Sequence, residues 1–578
     1  MAYKRYREWL EDPHIDEDTK NELLLIEDNE NEIIDRFYRE LEFGTAGIRG
    51  IIGAGTNRIN KYNIGKTTQG LADYIITKGE DAKNRGVVIA YDPRRMSREF
   101  AEEAASVLTG NGIRVYLFRD LRATPILSFA IRFLNCISGI VITASHNPAE
   151  YNGYKAYWED GAQIAQEQAN AIIDSIGKVA NFEDVKYMDM EKAISKELLI
   201  YLDEKVDDVY IEEVKKQSLR GNIVKEVAED FKIVFTPLHG TGNIPVRRVL
   251  REIGFKNVFV VEEQEMPDSE FSTVEYPNPE DKESFHLALE LAEKVDADII
   301  IGTDPDCDRA GVVVKGKDGE YVVLTGNQIG VLLVDYILKG RKENGTLPRN
   351  GVIIKSIVTG EMGAHIAEKY GIKTISTLTG FKYIGEKIKA FEETGEKVFL
   401  FGYEESYGYL AGTHARDKDA VVASMLICEM AAYHFSKGMG LYDALFELYD
   451  EYGYFCEDVK AISLEGKDGL EKMSEIMNYF RSEDINILGD KKILIMEDYM
   501  SRKRSYLDDS GHEEKTQLPS SNVVKFILDG GGWLCLRPSG TEPKLKIYGG
   551  YKGNTYEEAE SNLREILEFI EGEINDNF

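Results

Sequence analysis

Short apolar runs alternate with amphipathic, helix-like segments along most of this chain. The runs are four to six residues long and are bounded by polar or turn-forming residues, as expected of strands buried on both faces. The strands predicted in this way are Val87–Asp92, Val115–Phe118, Ser138–Ile142, Lys232–Thr236, Val258–Val261, Ala297–Gly302, Val352–Ser356, Lys373–Ser376 and Val398–Phe401. Because strands that alternate with helices form βαβ units, the pattern predicts mixed, mainly parallel sheets in an α/β fold.

The predicted strands fall into three successive groups, which indicates three related α/β domains. We place these domains at residues 1–205, 206–325 and 326–451. Direct sequence similarity between the groups is weak, so the predicted repeat is one of architecture. Residues 1 to about 40 are predicted to form charged amphipathic helix that packs on the surface.

The pattern changes near residue 452, where a smaller C-terminal α+β domain is predicted over residues 452–578. Its predicted elements are strands at Val523–Leu528, Trp533–Leu536 and Leu545–Tyr548 and a helix at Tyr556–Ile570. The stretch Ser501–Ser521 is charged and rich in turn-forming residues, so we expect an exposed loop there.

The overall charge excludes some classes of partner. The chain of 578 residues has a formal net charge of −32, and 43% of its residues are hydrophobic. Nucleic acids and anionic membranes require a basic surface, so neither is an expected partner. An anionic substrate therefore requires a pocket that is locally cationic.

The five cysteines are widely spaced and include no CxxC pair, so neither a disulfide framework nor a zinc site is indicated. The first residues, MAYKRYREWLEDPHIDED, are too charged for a signal peptide, and no apolar run approaches the length of a membrane span. We expect a reduced, cytoplasmic protein.

The stretch Thr143–Lys155, TASHNPAEYNGYK, follows a predicted strand and carries Ser145 at the strand's end. Open α/β sheets place their ligands at this position. Asn147-Pro148 and Asn152-Gly153 are turn signals, so a shaped loop is predicted after the serine. The Gly-x-Ser-x-Gly pattern of a hydrolase is missing, and the neighbouring His146 is expected to point away in extended backbone. We interpret Ser145 as a carrier of a phosphoryl group.

Three carboxylates at alternate positions, Asp304, Asp306 and Asp308, follow another predicted strand. Their mutual repulsion is costly unless a cation compensates it, so we predict a metal site. Three ligands of one ion require the loop to curl, and Pro305 helps it to leave the sheet. The spacing does not fit an EF-hand, and an acidic surface turn is the alternative.

Two further loops contain groups suited to phosphate. Arg49 lies in FGTAGIRG, where closely spaced glycines allow backbone amides to approach an anion. By itself this motif is more often a glycine-rich turn with a solvated arginine. The second loop combines Arg537, Ser539, Gly540 and Thr541, whose donors are typical of an anion-binding nest, with a polar hairpin as the alternative.

Two loops of the third unit contain groups suited to sugar hydroxyls. Glu404 and Ser406 supply an acceptor and a donor, and Thr379 and Gly380 precede them in the sequence. Paired glutamates in a turn are more often simply solvated. The ionic stretch that follows includes Lys418, a candidate proton carrier.

Taken together, these loops resemble those of the α-D-phosphohexomutase family, which includes phosphoglucomutases and phosphomannomutases. The resemblance extends from Phe43 to the C-terminal domain, with four signatures in the order of the family. It implies three related α/β domains and a smaller fourth domain around a deep cleft. The N-terminal extension and Ser501–Ser521 resemble the longer subgroup, which includes phosphoglucomutases and phosphopentomutases.

The resemblance also implies roles for the candidate residues. Ser145 is expected to be the phosphoserine, and Mg²⁺ is expected to be held by Ser145, Asp304, Asp306 and Asp308. The residues expected around the reacting phosphoryl group are Arg49, His146, Lys155, Arg309 and Lys418, and Lys155 and Lys418 are both candidates for the proton carrier. The residues expected to bind the sugar and the other phosphate are Thr379, Gly380, Glu404, Ser406, Arg537, Ser539, Gly540 and Thr541.

The expected activity is that of a phosphoglucomutase. It converts α-D-glucose 1-phosphate and glucose 6-phosphate reversibly, through a phosphoserine and glucose 1,6-bisphosphate, and mannose phosphates are further expected substrates. The alternatives are a phosphopentomutase, a sugar-bisphosphate synthase and, from a different class, an aspartyl-phosphate phosphatase using the Asp304–Asp308 loop. The expected partners are small sugar phosphates, and the expected state is a monomer or homodimer.

Overall fold

The computed structural model describes residues 1–44, 47–464, 469–482, 485–507, 511–539 and 544–578. Three short helices lie at the start of the chain: α1 (Ala2–Glu11), α2 (Glu17–Leu24) and α3 (Glu30–Phe37). Their apolar faces pack together around Trp9 and Phe37, which lie in edge-to-face contact. The helical prediction for this segment is confirmed, as three separate helices.

The first sheet has six strands in the order β1-β5-β4-β2-β3-β6. These strands are β1 (Gly47–Ile51), β2 (Val87–Tyr91), β3 (Val115–Phe118), β4 (Ser138–Ile142), β5 (Tyr151–Trp158) and β6 (Leu199–Leu202). The accompanying helices are α4 (Lys61–Ile76), α5 (Glu80–Arg85), α6 (Ser97–Gly110), α7 (Thr124–Phe133), α8 (Gln166–Ile176) and α9 (Met190–Ser195). Strands β4, β2, β3 and β6 are parallel, whereas β5 runs antiparallel to both of its neighbours.

The second sheet has five strands: β7 (Lys232–Thr236), β8 (Asn257–Val260), β9 (Ile299–Thr303), β10 (Ala310–Lys315) and β11 (Tyr321–Leu324). They lie in the order β11-β10-β9-β7-β8, with β9, β7 and β8 parallel. The helices of this unit are α10 (Lys205–Lys215), α11 (Gly221–Val227), α12 (Asn243–Ile253), α13 (Glu262–Glu265) and α14 (His286–Val295).

The third sheet has four strands: β12 (Gly351–Ser356), β13 (Lys373–Thr377), β14 (Val398–Glu404) and β15 (Gly408–Ala411). They lie in the order β13-β12-β14-β15, and only β15 is antiparallel to its neighbour. The helices are α15 (Gly326–Glu343), α16 (Met362–Lys369), α17 (Phe381–Thr394), α18 (Ala420–Phe435) and α19 (Leu441–Tyr452).

The fourth sheet is antiparallel and belongs to the C-terminal part of the chain. Its strands are β16 (Tyr454–Ser463), β17 (Ile487–Leu488), β18 (Lys491–Asp498), β19 (Lys503–Tyr506), β20 (Glu513–Lys515), β21 (Val524–Leu528), β22 (Trp533–Pro538) and β23 (Lys544–Gly553). The main order is β16-β23-β22-β21-β18-β19-β20, with β17 paired to β18. Helices α20 (Gly469–Phe480) and α21 (Tyr556–Asn577) accompany it.

The first three sheets share one feature that determines where the site lies. In each, a strand of the parallel part is followed by a short loop and an antiparallel strand. These hairpins are β4–β5, β9–β10 and β14–β15. Ser145, the aspartate loop and Glu405–Tyr407 occupy the three corresponding loops, so the repeated architecture places them in equivalent positions. A single apolar core containing Phe129, Phe235 and Tyr403 joins the three units.

All nine strands predicted in these units are present, most with ends shifted by one or two residues. Two other predictions are wrong. Asn152-Gly153 is not a turn but lies within β5, and a Cβ at Gly153 would lie 2.5 Å from the carbonyl oxygen of Thr143. Glycine is therefore required there for close approach of the backbone. Ser501–Ser521 is not simply a loop, because β19 and β20 extend the C-terminal sheet.

In the described part of the chain, no helix is both long enough and apolar enough to cross a lipid bilayer.

Candidate active site

Ser145 lies three residues beyond the end of β4 and is almost completely buried. Its backbone is left-handed (φ 53°), and its N–H donates to the hydroxyl oxygen of Thr143 at 2.8 Å. This turn directs the hydroxyl toward the neighbouring unit, where Ser145 Oγ donates to Asp304 Oδ2 at 2.8 Å. The serine and the aspartate loop are therefore brought into direct contact.

His146 does not point away from Ser145, so that prediction is wrong. Its Nδ1 lies 3.3 Å from Ser145 Oγ, because the left-handed turn at the serine replaces the extended backbone on which the prediction rested. Burial lowers the pKa of His146 well below its usual value, and Arg309 and Arg49 lower it further. The imidazole is therefore a neutral neighbour of the hydroxyl.

Asp304, Asp306 and Asp308 form a compact, fully buried cluster. One carboxylate oxygen from each lies within 4.8 Å of the others, as the predicted curl of the loop requires. The curl is held by Asp304 Oδ1, which accepts from the backbone N–H groups of Asp308 at 3.0 Å and Arg309 at 2.9 Å. Cys307 completes the turn with a left-handed backbone (φ 56°).

The charges of the three aspartates are only partly compensated by protein groups. Burial raises the pKa of Asp304 well above its usual value, and Asp308 and Asp306 raise it further. Among the residues that the structure describes, Asp306 Oδ1 and Asp308 Oδ1 are buried without a hydrogen-bond partner. Oxygen atoms in this arrangement fit a hard divalent cation such as Mg²⁺.

Four of the predicted basic residues lie around the aspartates and the serine loop. Lys155 Nζ lies 2.7 Å from Asp306 Oδ2, and Lys418 Nζ lies 3.1 Å from Asp308 Oδ2. Arg309 pairs with Glu280, with its Nε 3.9 Å from Asp308 Oδ1. The fourth, Arg49, lies on β1 and donates to Asn147 Oδ1 at 2.9 Å. Lys155, Lys418 and Arg309 thus offset part of the negative charge of the aspartates.

Burial also affects the groups that pair with the aspartates. It acts to raise the pKa of Asp308, but Lys418 and Lys155 outweigh it, and the pKa of Asp308 lies below its usual value. Burial acts to lower the pKa of Lys155, but Asp306 and Asp308 outweigh it, so the pKa of Lys155 is raised. Asp308 and Lys155 therefore form a charged pair inside the protein.

Glu404 ends β14, and its side chain is buried beside the N-terminus of α17. Its Oε1 accepts from the backbone N–H of Gly380 at 2.7 Å. Burial raises the pKa of Glu404 to about 7, and the charge of Glu405 adds to this. Within the described residues, the buried hydroxyl oxygen of Thr379 has no hydrogen-bond partner. Ser406 lies in the turn that leads into β15.

The predicted anion nest lies at the hairpin between β22 and β23. Arg537 is at the end of β22, and its Nη1 donates to the hydroxyl of Tyr548 at 3.4 Å. The backbone N–H of Ser539 donates to the carbonyl oxygen of Lys544 at 2.7 Å. Gly540 and Thr541 lie outside the residues that the structure describes.

Two side chains that hold these loops, Arg94 and Thr124, were not among the predicted site residues. The buried guanidinium of Arg94 donates to the carbonyl oxygens of Ser145 at 2.6 Å and Pro148 at 2.7 Å. Thr124, at the start of α7, donates through its hydroxyl to Asp306 Oδ2 at 2.9 Å. The Asp92-Pro-Arg94 sequence directly after a buried strand was a usable signal for the arginine. For Thr124 the sequence offers none, because its partner is 182 residues away.

Four family models match the chain in succession. They describe phosphoglucomutase/phosphomannomutase α/β/α domains I, II and III, at residues 40–182, 208–318 and 325–452, and the C-terminal domain of the same proteins, at residues 498–567. The chain belongs to the phosphoglucomutase/phosphomannomutase family. The resemblance drawn from the loops and the α/β fold predicted from the alternation of strands and helices are thereby confirmed.

Similar proteins of this phosphoglucomutase/phosphomannomutase family include two bacterial relatives. A phosphoglucomutase of Staphylococcus haemolyticus is 39% identical over 527 residues, which cover 91% of this chain and 93% of the relative. A phosphoglucomutase of Staphylococcus epidermidis is 40% identical over 511 residues, covering 88% and 90%. In fold, the chain resembles the Paramecium phosphoprotein parafusin, a phosphoglucomutase solved in an open form, with a TM-score of 0.68, 19% identity and coverage of 93% and 96%.

Proposed function

We propose that this protein is a phosphoglucomutase that converts α-D-glucose 1-phosphate and glucose 6-phosphate reversibly. The observation that carries the proposal is the contact of Ser145 Oγ with Asp304 at 2.8 Å, inside a cluster of carboxylates and cations. A hydroxyl beside fixed cations and carboxylate oxygens that can bind a metal ion is suited to accept and return a phosphoryl group. The similarity to the staphylococcal phosphoglucomutases over about nine-tenths of the chain supports glucose as the sugar.

The residues that would hold Mg²⁺ are Asp304, Asp306, Asp308 and Ser145. The partnerless Oδ1 atoms of Asp306 and Asp308, within the part of the chain that is described, support this assignment. When bound, the ion neutralises charge on the phosphoryl oxygens. Thr124 and the backbone N–H groups of the loop hold the carboxylates in place before substrate arrives.

In the proposed reaction, the bond between phosphorus and Ser145 Oγ breaks while the sugar 6-hydroxyl oxygen bonds to phosphorus. The hydroxyl proton is moved toward the departing Ser145 Oγ by a proton carrier, for which Lys155 and Lys418 are both candidates. Because the pKa of Lys155 is raised, Lys155 holds its proton and is suited to donate it to a leaving oxygen. The product is glucose 1,6-bisphosphate, which turns end for end. In the second transfer, Ser145 Oγ gives up its proton and bonds to the phosphorus on carbon 1, while the bond from that phosphorus to the carbon 1 oxygen breaks. The carbon 1 oxygen takes up the proton, and glucose 6-phosphate is left. Arg49 and Arg309 neutralise charge on the transferring group, and His146 lies beside the hydroxyl as a neutral ring.

The remaining candidates are proposed to hold the part of the substrate that does not react. Glu404, Ser406, Thr379 and Gly380 would bind sugar hydroxyls, and the partnerless hydroxyl of Thr379 within the described residues supports this. The phosphate at the far end of the sugar would be bound by Arg537, Ser539, Gly540 and Thr541. Holding either phosphate of the bisphosphate with one group of donors permits both orientations.

The cofactors proposed are Mg²⁺ and glucose 1,6-bisphosphate, which acts as both activator and intermediate. The partners proposed are small sugar phosphates, and the protein is proposed to work in the cytoplasm as a monomer or homodimer. The four domains are proposed at residues 1–205, 206–325, 326–451 and 452–578.

The test compares the wild-type protein with Ser145→Ala in a coupled assay containing Mg²⁺ and glucose 1,6-bisphosphate. We expect the variant to lose mutase turnover while retaining its Tm. Near-normal turnover of the variant would refute the proposal. Values of kcat/KM for glucose, mannose and ribose 1-phosphates then identify the sugar. Protein carrying a labelled phosphoryl group is then treated with hydroxylamine. Hydroxylamine releases the label from an aspartyl phosphate but not from a phosphoserine, so this step tests the phosphatase alternative.

A further inference from the structure

A turn that follows β12 contacts both the β14–β15 hairpin and the C-terminal sheet. We call the β14–β15 hairpin, which carries the proposed sugar ligands Glu404 and Ser406, the sugar-binding hairpin. We call residues Ser356–Glu361 the connecting turn. It begins at the last residue of β12 and ends directly before α16. Ser356, Thr359 and Ile357 are all buried in it. None of these residues belongs to the candidate active site described above.

The side of the turn that faces the sugar hairpin holds Glu405. The hydroxyls of Ser356 and Thr359 both donate to Glu405 Oε2, each at 3.1 Å. The two hydroxyl oxygens also lie 2.8 Å from one another. Glu405 directly follows Glu404, which is proposed to bind the sugar. A change in the position of the turn therefore moves the residue next to the sugar ligand.

The opposite side of the turn holds Lys525, which lies on β21 of the C-terminal sheet. Its Nζ donates to the carbonyl oxygen of Ile357 at 2.7 Å and lies 3.3 Å from Glu361 Oε1. Lys355 reaches the same carboxylate oxygen at 3.1 Å. Burial acts to raise the pKa of Glu361, but Lys355 and Lys525 outweigh it and lower the pKa to about 2. The carboxylate therefore remains ionised between two ammonium groups.

Lys525 is also close to the strand that carries Arg537. In the antiparallel register of β21 and β22, Lys525 lies opposite Cys535, and Arg537 follows two residues later on the same face. The Lys525 ammonium lies over the ring of Trp533, 4.7 Å from its centroid. Lys525 thus lies beside the strand that carries the proposed phosphate ligand Arg537.

Packing around the contact of Lys525 with the connecting turn is incomplete. The polar contacts therefore contribute more to holding the turn and the sheet together. A cavity of about 650 Å³ adjoins it and is lined from both sides, by residues that include Glu361, Lys525 and Trp533. Beside the cavity, Ile357 and Val358 share an apolar cluster with Trp533. An interface of this kind permits the sheet to shift unless specific contacts hold it.

We propose that the connecting turn couples the sugar-binding hairpin to the C-terminal sheet, with Lys525 as a positioning residue for Arg537. Lys525 does not touch substrate in this scheme. It fixes the distance between the group that binds the sugar and the group that binds the far phosphate. This inference rests on the proposed mutase function, because it assigns the two ends of one substrate to the two sides of the turn.

The test is a double-mutant cycle of Lys525→Met and Ser356→Ala, measured as KM and kcat for glucose 1-phosphate. Each single change is expected to raise KM by about five-fold with a smaller effect on kcat, since binding groups are displaced while the reacting groups are not. If the turn couples the two sides, the double variant shows a KM well below the product of the single effects, because one coupling is lost only once. Lys525→Arg, which retains a donor and a charge, is expected to recover most of the loss.

The matched control is Lys552→Met. Lys552 lies on β23 of the same sheet, and its Nζ is 5.2 Å from the ring centroid of Phe455. The substitution therefore removes a cation–aromatic contact similar to that of Lys525. Combined with Ser356→Ala, it should give a KM equal to the product of the single effects. The inference is overturned if Lys525→Met leaves KM unchanged, or if its effect multiplies with that of Ser356→Ala. The proposed function fails separately, if the wild-type protein shows no mutase turnover.

Discussion

The guanidinium of Arg94 donates a hydrogen bond of 2.6 Å to the backbone carbonyl oxygen of Ser145. The same group donates to the carbonyl oxygens of Pro148 at 2.7 Å and Tyr151 at 3.1 Å. Its Nε lies 3.2 Å from Asp92 Oδ2, with both side chains fully buried. A planar fork with five donors suits several acceptors at fixed angles, so Arg94 holds the serine loop in its left-handed turn.

Replacement of Arg94 by lysine is expected to lower kcat by about 10- to 100-fold, because a shift of the reacting oxygen by about 1 Å has an effect of this size. Lysine keeps the charge but lacks the planar arrangement of donors. KM for glucose 1-phosphate should change little, since the proposed sugar and phosphate ligands lie on other loops. Steady-state kinetics measure both quantities.

The control for this variant is Arg220→Lys. Arg220 is also buried. Its guanidinium lies within 4.5 Å of the ring centroids of Tyr336 and Tyr433, and it pairs with Glu343. The Arg220→Lys variant should lose about as much stability as Arg94→Lys, while its kcat stays near the wild-type value. If Arg94→Lys retains full kcat, the loop does not depend on the guanidinium.

Much of the site was predictable because short sequence patterns determine local structure. The residues Ile299–Ile301 are apolar and β-branched, so the sequence predicts both the strand and the loop after it. The curl of Asp304–Asp308 follows from the short distance between ligands of one ion, which an extended strand would exceed. These are properties of neighbouring residues.

What could not be predicted depends on contacts between distant parts of the chain. Gly153 has a turn-like sequence context, but the approach of Thr143 and Ile48 backbone places it in a strand. His146 was assigned the wrong direction because the left-handed backbone at Ser145 is maintained by Arg94, 51 residues earlier. Tertiary contacts override local preference at both positions.

Thr124→Val is expected to weaken the response to Mg²⁺. The valine keeps the shape of the side chain but removes the hydroxyl that donates to Asp306 Oδ2 at 2.9 Å. Loss of an outer hydrogen bond to a metal ligand typically costs about 10-fold or more in metal affinity. The concentration of Mg²⁺ required for half-maximal activity should therefore rise about 10-fold, with kcat at saturating Mg²⁺ largely retained.

Thr68→Val is the control for the metal response. Thr68 is buried on α4, and its hydroxyl donates to the carbonyl oxygen of Ile64 at 2.7 Å, away from the aspartates. Thr68→Val removes an equivalent hydroxyl and is expected to leave the Mg²⁺ concentration for half-maximal activity unchanged. Identical titration curves for Thr124→Val and the wild-type protein would show that the hydroxyl does not position Asp306.

The pH dependence of kcat/KM should report Glu404. Burial, with a further contribution from Glu405, raises the pKa of Glu404 to about 7. The ionised form is the one proposed to accept hydrogen bonds from sugar hydroxyls, so kcat/KM is expected to fall as pH decreases through 7. Glu404→Gln cannot titrate, so its lower kcat/KM should lack this component. Because both proteins use the same substrate, ionisation of the substrate phosphate cancels in the ratio of their profiles. A ratio that is constant from pH 6 to pH 8.5 would contradict the assignment.

Glu457, on β16 beside the connecting turn, should make stability depend on pH. Burial raises its pKa to about 7 from the usual 4.5, while Lys355 acts in the opposite direction. Below pH 4.5 both the native and the unfolded states hold the proton. Between pH 4.5 and 7 only the native state retains it, so the free energy of unfolding decreases as pH rises, by at most about 3 kcal/mol.

Glu457→Gln removes this component, because the amide has no proton to lose. Relative to the wild-type protein, the variant should gain about 1–3 kcal/mol in free energy of unfolding between pH 5 and pH 8, as measured by urea denaturation at both values. Glu565→Gln, on the exposed face of α21, serves as the surface control. The comparison between variants cancels every other group that titrates in this range. An equal difference at pH 5 and pH 8 would mean that Glu457 is ionised in the native state, and that Lys355 compensates its charge more strongly than burial opposes it.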